Sequence, residues 1–256
     1  MQLYRSVRDS LSRVIKRNEQ SSFGTGRGYR ESLKHAISCG IEPDIVYDVG
    51  AGTGTPWLYE AFPHATHMLF EPLPKHVEKL RKSYSYENFK IHEVAVGSEK
   101  TLGSLHIPST RKGKTTWSSL LRTSKQMESF TKAWGVSSEG KDITVQIFPL
   151  DNYAQFSRSI LKIDTEGSEL DILKGARKVL SRCQLLIIEL SIFPRWDGEG
   201  RFAEIVSFLD ASGFELFDIP LLWYPMRKRD LTLIDAIFVP TADRRAGKWI
   251  GDKSKQ

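Results

Sequence analysis

The chain has 256 residues, of which 40% are hydrophobic and 27% charged, and its formal net charge is +6. This composition is typical of one or two globular domains and excludes a disordered chain, a collagen-like repeat and a disulfide-rich scaffold. The two cysteines, Cys39 and Cys183, form no CxxC pair, so a structural zinc site is not expected.

The positive charge is concentrated at the two ends of the chain. Residues 1–35 hold eight Lys/Arg and three Asp/Glu, and residues 241–256 hold five and two, which leaves residues 36–240 with a net charge of −2. A nucleic-acid-binding domain usually presents a basic face, so nucleic acid is not the expected partner. The longest apolar run, residues 185–193, has nine residues and contains Glu189, so we predict no membrane span and a cytoplasmic protein.

The first predicted element is a basic amphipathic helix within the first 17 residues, where apolar residues recur at helical spacing with basic residues between them. Such a helix either docks on the body of the protein or contacts an anionic surface or a partner. Residues 21–28 (SSFGTGRG) are typical of a linker or a mobile lid. We therefore divide the chain into a basic N-terminal helix and linker (1–35), a folded body (36–240) and a basic C-terminal tail (241–256).

From residue 45 onward, short apolar segments alternate with amphipathic ones. This alternation predicts an α/β fold, with a mostly parallel seven-stranded sheet and helices on both faces. The predicted strands are 45–49, 67–71, 89–96, 160–164, 184–189, 214–218 and 231–239, and the predicted helices are 55–61, 75–84, 168–180 and 201–212.

Residues 97–159 interrupt the alternation, and we predict a β-hairpin or flap inserted after the third strand. Residues 111–125 carry five basic residues and no acid, which indicates either a solvated face or a funnel for an anionic substrate. His106 in this insertion is a possible base, although a surface imidazole is the simpler interpretation.

The strongest motif is a glycine-rich turn at the end of the first strand, with Asp48 followed by Gly50, Gly52 and Gly54. Glycines in such a turn let the backbone approach a ligand closely. Glu71, at the end of the second strand, can accept both hydroxyls of a ribose. Because Thr55 stands where the dinucleotide fingerprint needs its third glycine, the turn suits S-adenosylmethionine (SAM) better than a nicotinamide dinucleotide.

Three further acids follow two predicted strands that end at the same edge of the sheet. Asp164 and Glu166 follow the fourth strand, and Glu189 ends the fifth. They could converge as a general base or as a weak divalent-metal site; we assign no metal. Lys162 is expected either to pair with Asp164 or to help bind a charged group, whereas Glu169 is expected to complement the dipole of the next helix.

The order of the motifs resembles the FkbM family of SAM-dependent methyltransferases. The motifs are DVGAGTG (48–54), EP (71–72), VAVG (94–97), LD (150–151), KIDTEGSE (162–169), LKGA (173–176) and IE (188–189). One departure is Gly52, which replaces the asparagine usual in that loop. The resemblance implies the Rossmann-like class I methyltransferase fold for the body, residues 36–240.

The resemblance also implies the roles of individual residues toward SAM. The loop residues Asp48, Gly50, Gly52 and Gly54 would line its methionine half. Glu71 would hold the ribose, Val94 and Ala95 would flank the adenine, and Asp164 would face the amino group or the reacting centre. Ala51 and Pro72 would be further cofactor-binding residues.

The implied activity is methylation of a hydroxyl on a small molecule, sugar or glycan, with Asp164, Glu166 or Glu189 taking the proton. One alternative is a non-catalytic protein that keeps the fold and docks through its basic tails. A nucleic-acid-directed methyltransferase is the other, and it is disfavoured because the Asp164-Thr-Glu segment lacks the Pro-Pro motif of adenine-type enzymes. Four tryptophans could border the cleft or simply pack: Trp117, Trp134, Trp196 and Trp223.

Overall fold

The computed structural model describes residues 26–110, 118–125, 127, 136–224 and 231–245. The strands in chain order are β1 (Ile45–Val49), β2 (Thr66–Phe70), β3 (Phe89–His92), β4 (Ala95–Gly97), β5 (Thr101–Thr110), β6 (Val136–Pro149), β7 (Ser159–Ile163), β8 (Cys183–Ser191), β9 (Phe214–Trp223) and β10 (Leu233–Pro240). The helices are α1 (Tyr29–Ser38), α2 (Pro56–Ala61), α3 (Pro74–Ser83), α4 (Glu169–Lys174), α5 (Arg177–Leu180), α6 (Phe202–Ala211) and α7 (Thr241–Arg245), with a 3₁₀ turn at Leu150–Tyr153.

Seven strands form one sheet in the order β3-β2-β1-β7-β8-β10-β9. All neighbours pair in parallel except β10, which is antiparallel to both β8 and β9. The predicted α/β fold with a mostly parallel seven-stranded sheet is confirmed. The strand order reverses between β1 and β7, and open α/β sheets bind ligands beyond the carboxyl ends of the strands at such a point.

Helices cover both faces of the sheet, which explains why its central strands are apolar throughout. Tyr47 and Val49 face one core, shared with α4, α5 and α6. Val46 faces the other core, shared with α1, α2 and α3. Because every residue of β1 is buried, the loop that follows it starts from a rigid support.

Helix α1 was not predicted, and it crosses the predicted boundary at residue 36. Its Leu33 and Ala36 are buried in the core beside α2. The packed body of the protein therefore begins before residue 36. The predicted basic helix and most of the basic C-terminal tail lie outside the described residues.

Two predicted elements are divided in the structure. The strand predicted over 89–96 becomes β3 and β4, which belong to different sheets. The helix predicted over 168–180 breaks at Gly175, where a Cβ would lie 2.1 Å from the backbone oxygen of Gly97. The Asp151 carboxylate then accepts the amides of Lys178 and Val179, so it supplies the N-terminal hydrogen bonds of α5.

The insertion is a long antiparallel hairpin, β5–β6, joined to β4 in a separate three-stranded sheet. Contrary to expectation, His106 is buried; its Nδ1 lies 2.8 Å from the Asp142 carboxylate. Arg122 pairs with the same carboxylate, so this basic group of the insertion is already engaged.

Every helix in the described part of the chain is too short or too polar to span a bilayer.

Candidate active site

A cleft of about 450 Å³ opens beyond the carboxyl ends of β1, β2, β7 and β8. This volume is within the usual range of small-molecule sites. The cleft is lined mainly by residues 49–55, 70–73, 94–96 and 164–166, together with Tyr29, Trp57, His76, Leu105, Ser118, Leu120, Lys162, Ser168 and Glu189.

The glycine loop is shaped by backbone geometry that other residues tolerate poorly. Gly50 has φ +77°, and a Cβ there would lie 1.8 Å from the backbone oxygen of Asp164. Gly52 has φ +56°, yet a Cβ there would meet no atom within 4 Å. The loop therefore packs tightly against the end of β7 at Gly50 and faces open space at Gly52.

Glu71 is held in place by two backbone amides. The amide of Gly52 donates to Oε2 and the amide of Leu73 donates to Oε1, each at 2.8 Å. Each carboxylate oxygen keeps a second acceptor site, so the group can still bind a diol. Pro72, Val94 and Ala95 line the same end of the cleft, which we call the adenosine end.

Asp48 does not line the cleft, in contrast to the role that the family resemblance implies for it. Its carboxylate is fully buried beneath the loop. Tyr59 donates a hydrogen bond to Oδ2, and Lys162 Nζ lies 3.2 Å from Oδ1. Asp48 therefore supports the loop from below, because both of its oxygens are already engaged by protein groups.

Lys162 joins Asp48 to Asp164. Its Nζ lies 3.3 Å from Asp164 Oδ2, which confirms the expected pairing of these two residues along β7. Burial alone would lower the pKa of Lys162, but the charges of Asp48 and Asp164 outweigh it and raise this pKa. The lysine is therefore charged, and it leaves the second oxygen of Asp164 available to the cleft.

The other two predicted acids meet on one buried arginine, Arg195. Its Nη1 lies 3.0 Å from Glu166 Oε2, and its Nη2 donates to Glu189 Oε1. Its Nε donates to Ser191 Oγ at 2.9 Å. Asp164, Glu166 and Glu189 all line the cleft, so the structure brings the three acids together at what we call the acid end.

The pKa values of Glu166 and Glu189 are both raised. Burial is the largest cause for each, and it outweighs the opposing effect of Arg195. The neighbouring acids, including Asp164, raise both values further, and the pKa of Glu189 reaches about 7. Glu189 therefore changes its protonation state near neutral pH.

The loop that carries Glu166 is strained and tied down. Glu166 has φ +58°, which is uncommon for a residue other than glycine. Glu169 accepts the amides of Thr165 and Gly167, so its role is structural. Ser119, in the segment 118–125 that follows β5, donates its hydroxyl to the backbone oxygen of Glu166.

A fourth acid lies beside this cluster. Asp235 on β10 is directly opposite Glu189 in the antiparallel register, so both side chains point to the same face of the sheet. Burial raises the pKa of Asp235 to about 7. Among the described residues, none forms a hydrogen bond or an ion pair with its carboxyl group.

Sequence reasoning missed several residues of the site. Arg195 belongs to no motif; the only available signal was that two acids at strand ends need a buried counter-charge. Trp57 and Tyr29 line the cleft, whereas Trp196 is buried against Gly167. Trp223 lies on β9, and Trp117 and Trp134 fall outside the described residues.

The residues of the cleft fit a nucleoside that carries positive charge. Gly52 faces open space, and the Glu71 carboxylate lies next to it with free acceptor sites. The acids lie at the opposite end, where Lys162 and Arg195 neutralise only part of their charge. Among the described residues, no three His, Cys, Asp or Glu side chains converge as metal ligands would.

Comparison with known proteins gives a consistent family assignment. The model of the methyltransferase FkbM domain matches residues 48–216. "Methyltransferase 1" of Beauveria bassiana (strain ARSEF 2860) is 24% identical over 186 residues, which cover 68% of this chain and 73% of that protein.

Solved structures of methyltransferases are also similar. The methyltransferase FkbM from Methylobacillus flagellatus KT has a TM-score of 0.44 and 16% identity, and the match covers 76% of this chain but only 43% of that one. The magnesium protoporphyrin IX methyltransferase from Synechocystis PCC 6803, solved with bound SAM, has a TM-score of 0.41 and 11% identity, with 82% and 79% covered. Because the domain match spans more than half of the chain, this protein belongs to the FkbM family of methyltransferases.

Proposed function

We propose that the protein is a SAM-dependent O-methyltransferase that acts on a hydroxyl of a small molecule, sugar or glycan. The observation that carries the proposal is Glu189, a carboxyl group on the cleft wall that Arg195 holds in place and whose pKa is raised by burial. An alcohol is a weak nucleophile, and a base with a pKa near the working pH removes its proton most effectively. An acceptor that is already a good nucleophile would not need a carboxyl group to remove its proton.

The chain's own residues divide the work between the two ends of the cleft. Bound SAM would supply a methyl group on a positively charged sulfur. At the adenosine end, Glu71 would accept the ribose hydroxyls. At the acid end, Asp164 would face the ammonium group through the oxygen that Lys162 leaves available. Alignment of the two reactants is a large contribution that such a site makes.

Glu189 would accept the hydroxyl proton as the new carbon–oxygen bond forms and the carbon–sulfur bond breaks. Arg195 holds the Glu189 carboxylate from the side and prevents it from rotating away. Burial also raises the pKa of Glu166, which lies on the same arginine, and a protonated Glu166 would limit the repulsion between the two acids. The methyl acceptor forms no covalent bond with the enzyme during the transfer.

The two alternatives predict different partners. A nucleic-acid substrate would bring phosphates toward a cleft end that carries an excess of acids, which is unfavourable. A non-catalytic protein would need neither the loop geometry nor a base.

We also propose that the protein is cytoplasmic and that its basic ends, residues 1–35 and 241–256, contact an anionic surface.

The decisive experiment incubates the protein with methyl-labelled SAM and a panel of sugars, polyols and glycans, with RNA as a further arm. We expect label on a hydroxylated acceptor and none on RNA. Glu71→Ala should weaken the affinity for S-adenosylhomocysteine about 100-fold, because the amides of Gly52 and Leu73 lose their acceptor and the ribose loses its ligand. Glu78→Ala, at an exposed acid paired with Lys82, is the control. Failure of the wild type to bind SAM at millimolar concentration would contradict the proposal.

A further inference from the structure

Two aromatic side chains form one wall of the cleft. Tyr29 is the first residue of α1, and Trp57 lies in the first turn of α2. Their rings stack with centroids 4.1 Å apart and an interplanar angle of 17°. Both line the cleft, yet Tyr29 lies outside residues 48–216, the part of the chain that matches the family.

The position of Tyr29 is fixed by contacts that the start of α1 and the residues before it make with β9. Ser32 donates a hydrogen bond of 2.8 Å to the Asp218 carboxylate. The amide of Gly28 donates to the backbone oxygen of Pro220 at 3.1 Å. At Gly26 a Cβ would lie 2.4 Å from that same oxygen, so the chain is pressed closely against β9. The start of α1 is therefore anchored at the edge of the sheet where the cleft opens.

These anchors place the aromatic pair toward the acid end of the cleft. The sheet order puts β1 between β2, which leads to Glu71, and β7, which leads to Asp164. Helix α1 reaches from α2 to β9, the edge strand on the side of β7 and β8. The pair is thus on the opposite side of the glycine loop from the adenosine end.

We propose that Tyr29 and Trp57 form an aromatic wall that contacts the methionine half of bound SAM. The inference rests on the cofactor assignment proposed above. The methionine half carries an ammonium and a sulfonium, and the face of an aromatic ring attracts such cations. The stacked pair also removes water from the cleft and strengthens the interaction of the cofactor with Asp164. Residues before the matched domain then complete the cofactor site.

Titration calorimetry of the full chain tests the proposal with two neutral-sulfur probes. S-Adenosylhomocysteine carries the amino-acid portion, whereas 5′-methylthioadenosine lacks it. We expect Tyr29→Ala to raise the Kd for S-adenosylhomocysteine about 5- to 10-fold. The Kd for 5′-methylthioadenosine should stay within about twofold, since that probe does not reach the aromatic wall.

Two variants separate a binding role from a structural one. Tyr29→Phe keeps the ring and should bind S-adenosylhomocysteine like the wild type. His35→Ala removes another ring from α1, one that stacks on Phe217 with centroids 5.2 Å apart and does not line the cleft. It should leave both Kd values within about twofold. Tryptophan fluorescence gives a second readout, because ligand contact with Trp57 should quench part of the wild-type signal, and this part should be absent in Trp57→Phe.

Each opposite result overturns the inference. An unchanged Kd in Tyr29→Ala, with normal binding by the wild type, would leave the cofactor assignment intact and reject the wall. Equal losses for both probes would move the contact to the adenosine half, and an equal loss in His35→Ala would make the effect structural. A wild type that binds neither probe would reject the cofactor assignment and the wall together.

Discussion

The two ends of the cleft are built in different ways. At the adenosine end, backbone amides of Gly52 and Leu73 fix the Glu71 carboxylate, and all three residues lie within 22 positions of one another. At the acid end, the side chain of Arg195 fixes Glu166 and Glu189, which come from a loop and a strand. The first end depends on the conformation of short segments, whereas the second depends on a buried network of charges.

This difference has an energetic consequence. Two amide hydrogen bonds hold the Glu71 carboxylate, so the adenosine end needs no network of buried side-chain charges to keep its shape. The acid end places several carboxyl groups close together, and its pKa values are raised by burial and mutual repulsion. Its protonation state, and with it its chemistry, depends on pH.

The largest effect should come from Gly50→Ala, because Gly50 packs against the backbone of Asp164 where the glycine loop meets the end of β7. The new Cβ would overlap the backbone oxygen of Asp164, and φ is +77°. We expect a loss of about 4 kcal/mol or more in the free energy of unfolding, measured in urea, with no detectable cofactor binding. Gly40→Ala, at φ +89° with open space around the Cβ, is the control and should cost only about 1–2 kcal/mol. Equal costs for both variants would show that the close contact is unimportant.

The next largest effect should come from a substitution that changes only the acid end of the cleft. Glu189→Gln keeps the shape of the side chain but removes the base, so kcat should fall about 10²- to 10⁴-fold. The affinity for S-adenosylhomocysteine should change little, because the adenosine end is intact. Glu93→Gln, at an exposed acid paired with Arg81, is the matched control. A variant with normal kcat would remove Glu189 from the chemistry.

The pH dependence of the wild-type rate is a second test of Glu189 as the base. The pKa of Glu189 is raised to about 7, and only the ionised carboxylate accepts a proton. The rate should therefore fall about tenfold per pH unit below pH 7 and level off above it. Steady-state rates between pH 5 and 9 measure this, and a flat profile across pH 5–8 would argue for another base.

The smallest effect is one of stability and concerns Asp235. Its pKa is raised from 3.8 to about 7, so the unfolded chain binds fewer protons than the folded one between these values. The wild type therefore loses stability as the pH rises through that range. Asp235→Asn should remove this loss and gain about 1–2 kcal/mol at pH 8, with a smaller gain at pH 5. Thermal unfolding at both pH values checks it; a destabilised variant at pH 8 would mean that the carboxylate has a favourable partner.

Much of the adenosine end could be predicted from the sequence because its residues are neighbours in the chain. The glycine loop and Glu71 follow from local patterns, and the structure confirms the predicted mostly parallel seven-stranded sheet that carries them. The convergence of Asp164, Glu166 and Glu189 was also predictable, since parallel strands end at one edge. The burial of Asp48 was not, because its partners Tyr59 and Lys162 come from two other elements.

The site residues that the sequence analysis missed depend on contacts between positions that are far apart in the chain. Arg195 follows β8 in a segment with no motif, and its role is visible only once two acids surround it. Tyr29 starts a helix whose place depends on β9, almost 200 residues later in the chain. A single sequence carries no pattern that joins such positions.

The hydrogen bond from Ser119 to the backbone of Glu166 has a consequence for how new specificities could be made. The segment 118–125 follows the first strand of an inserted hairpin, and it touches both ends of the cleft, because Ser119 holds Glu166 while Leu120 packs with Leu73 and Ala95. The hairpin therefore supports both ends of the cleft. Exchanging this segment between relatives would disturb both ends unless Leu73 and Ala95 were exchanged with it.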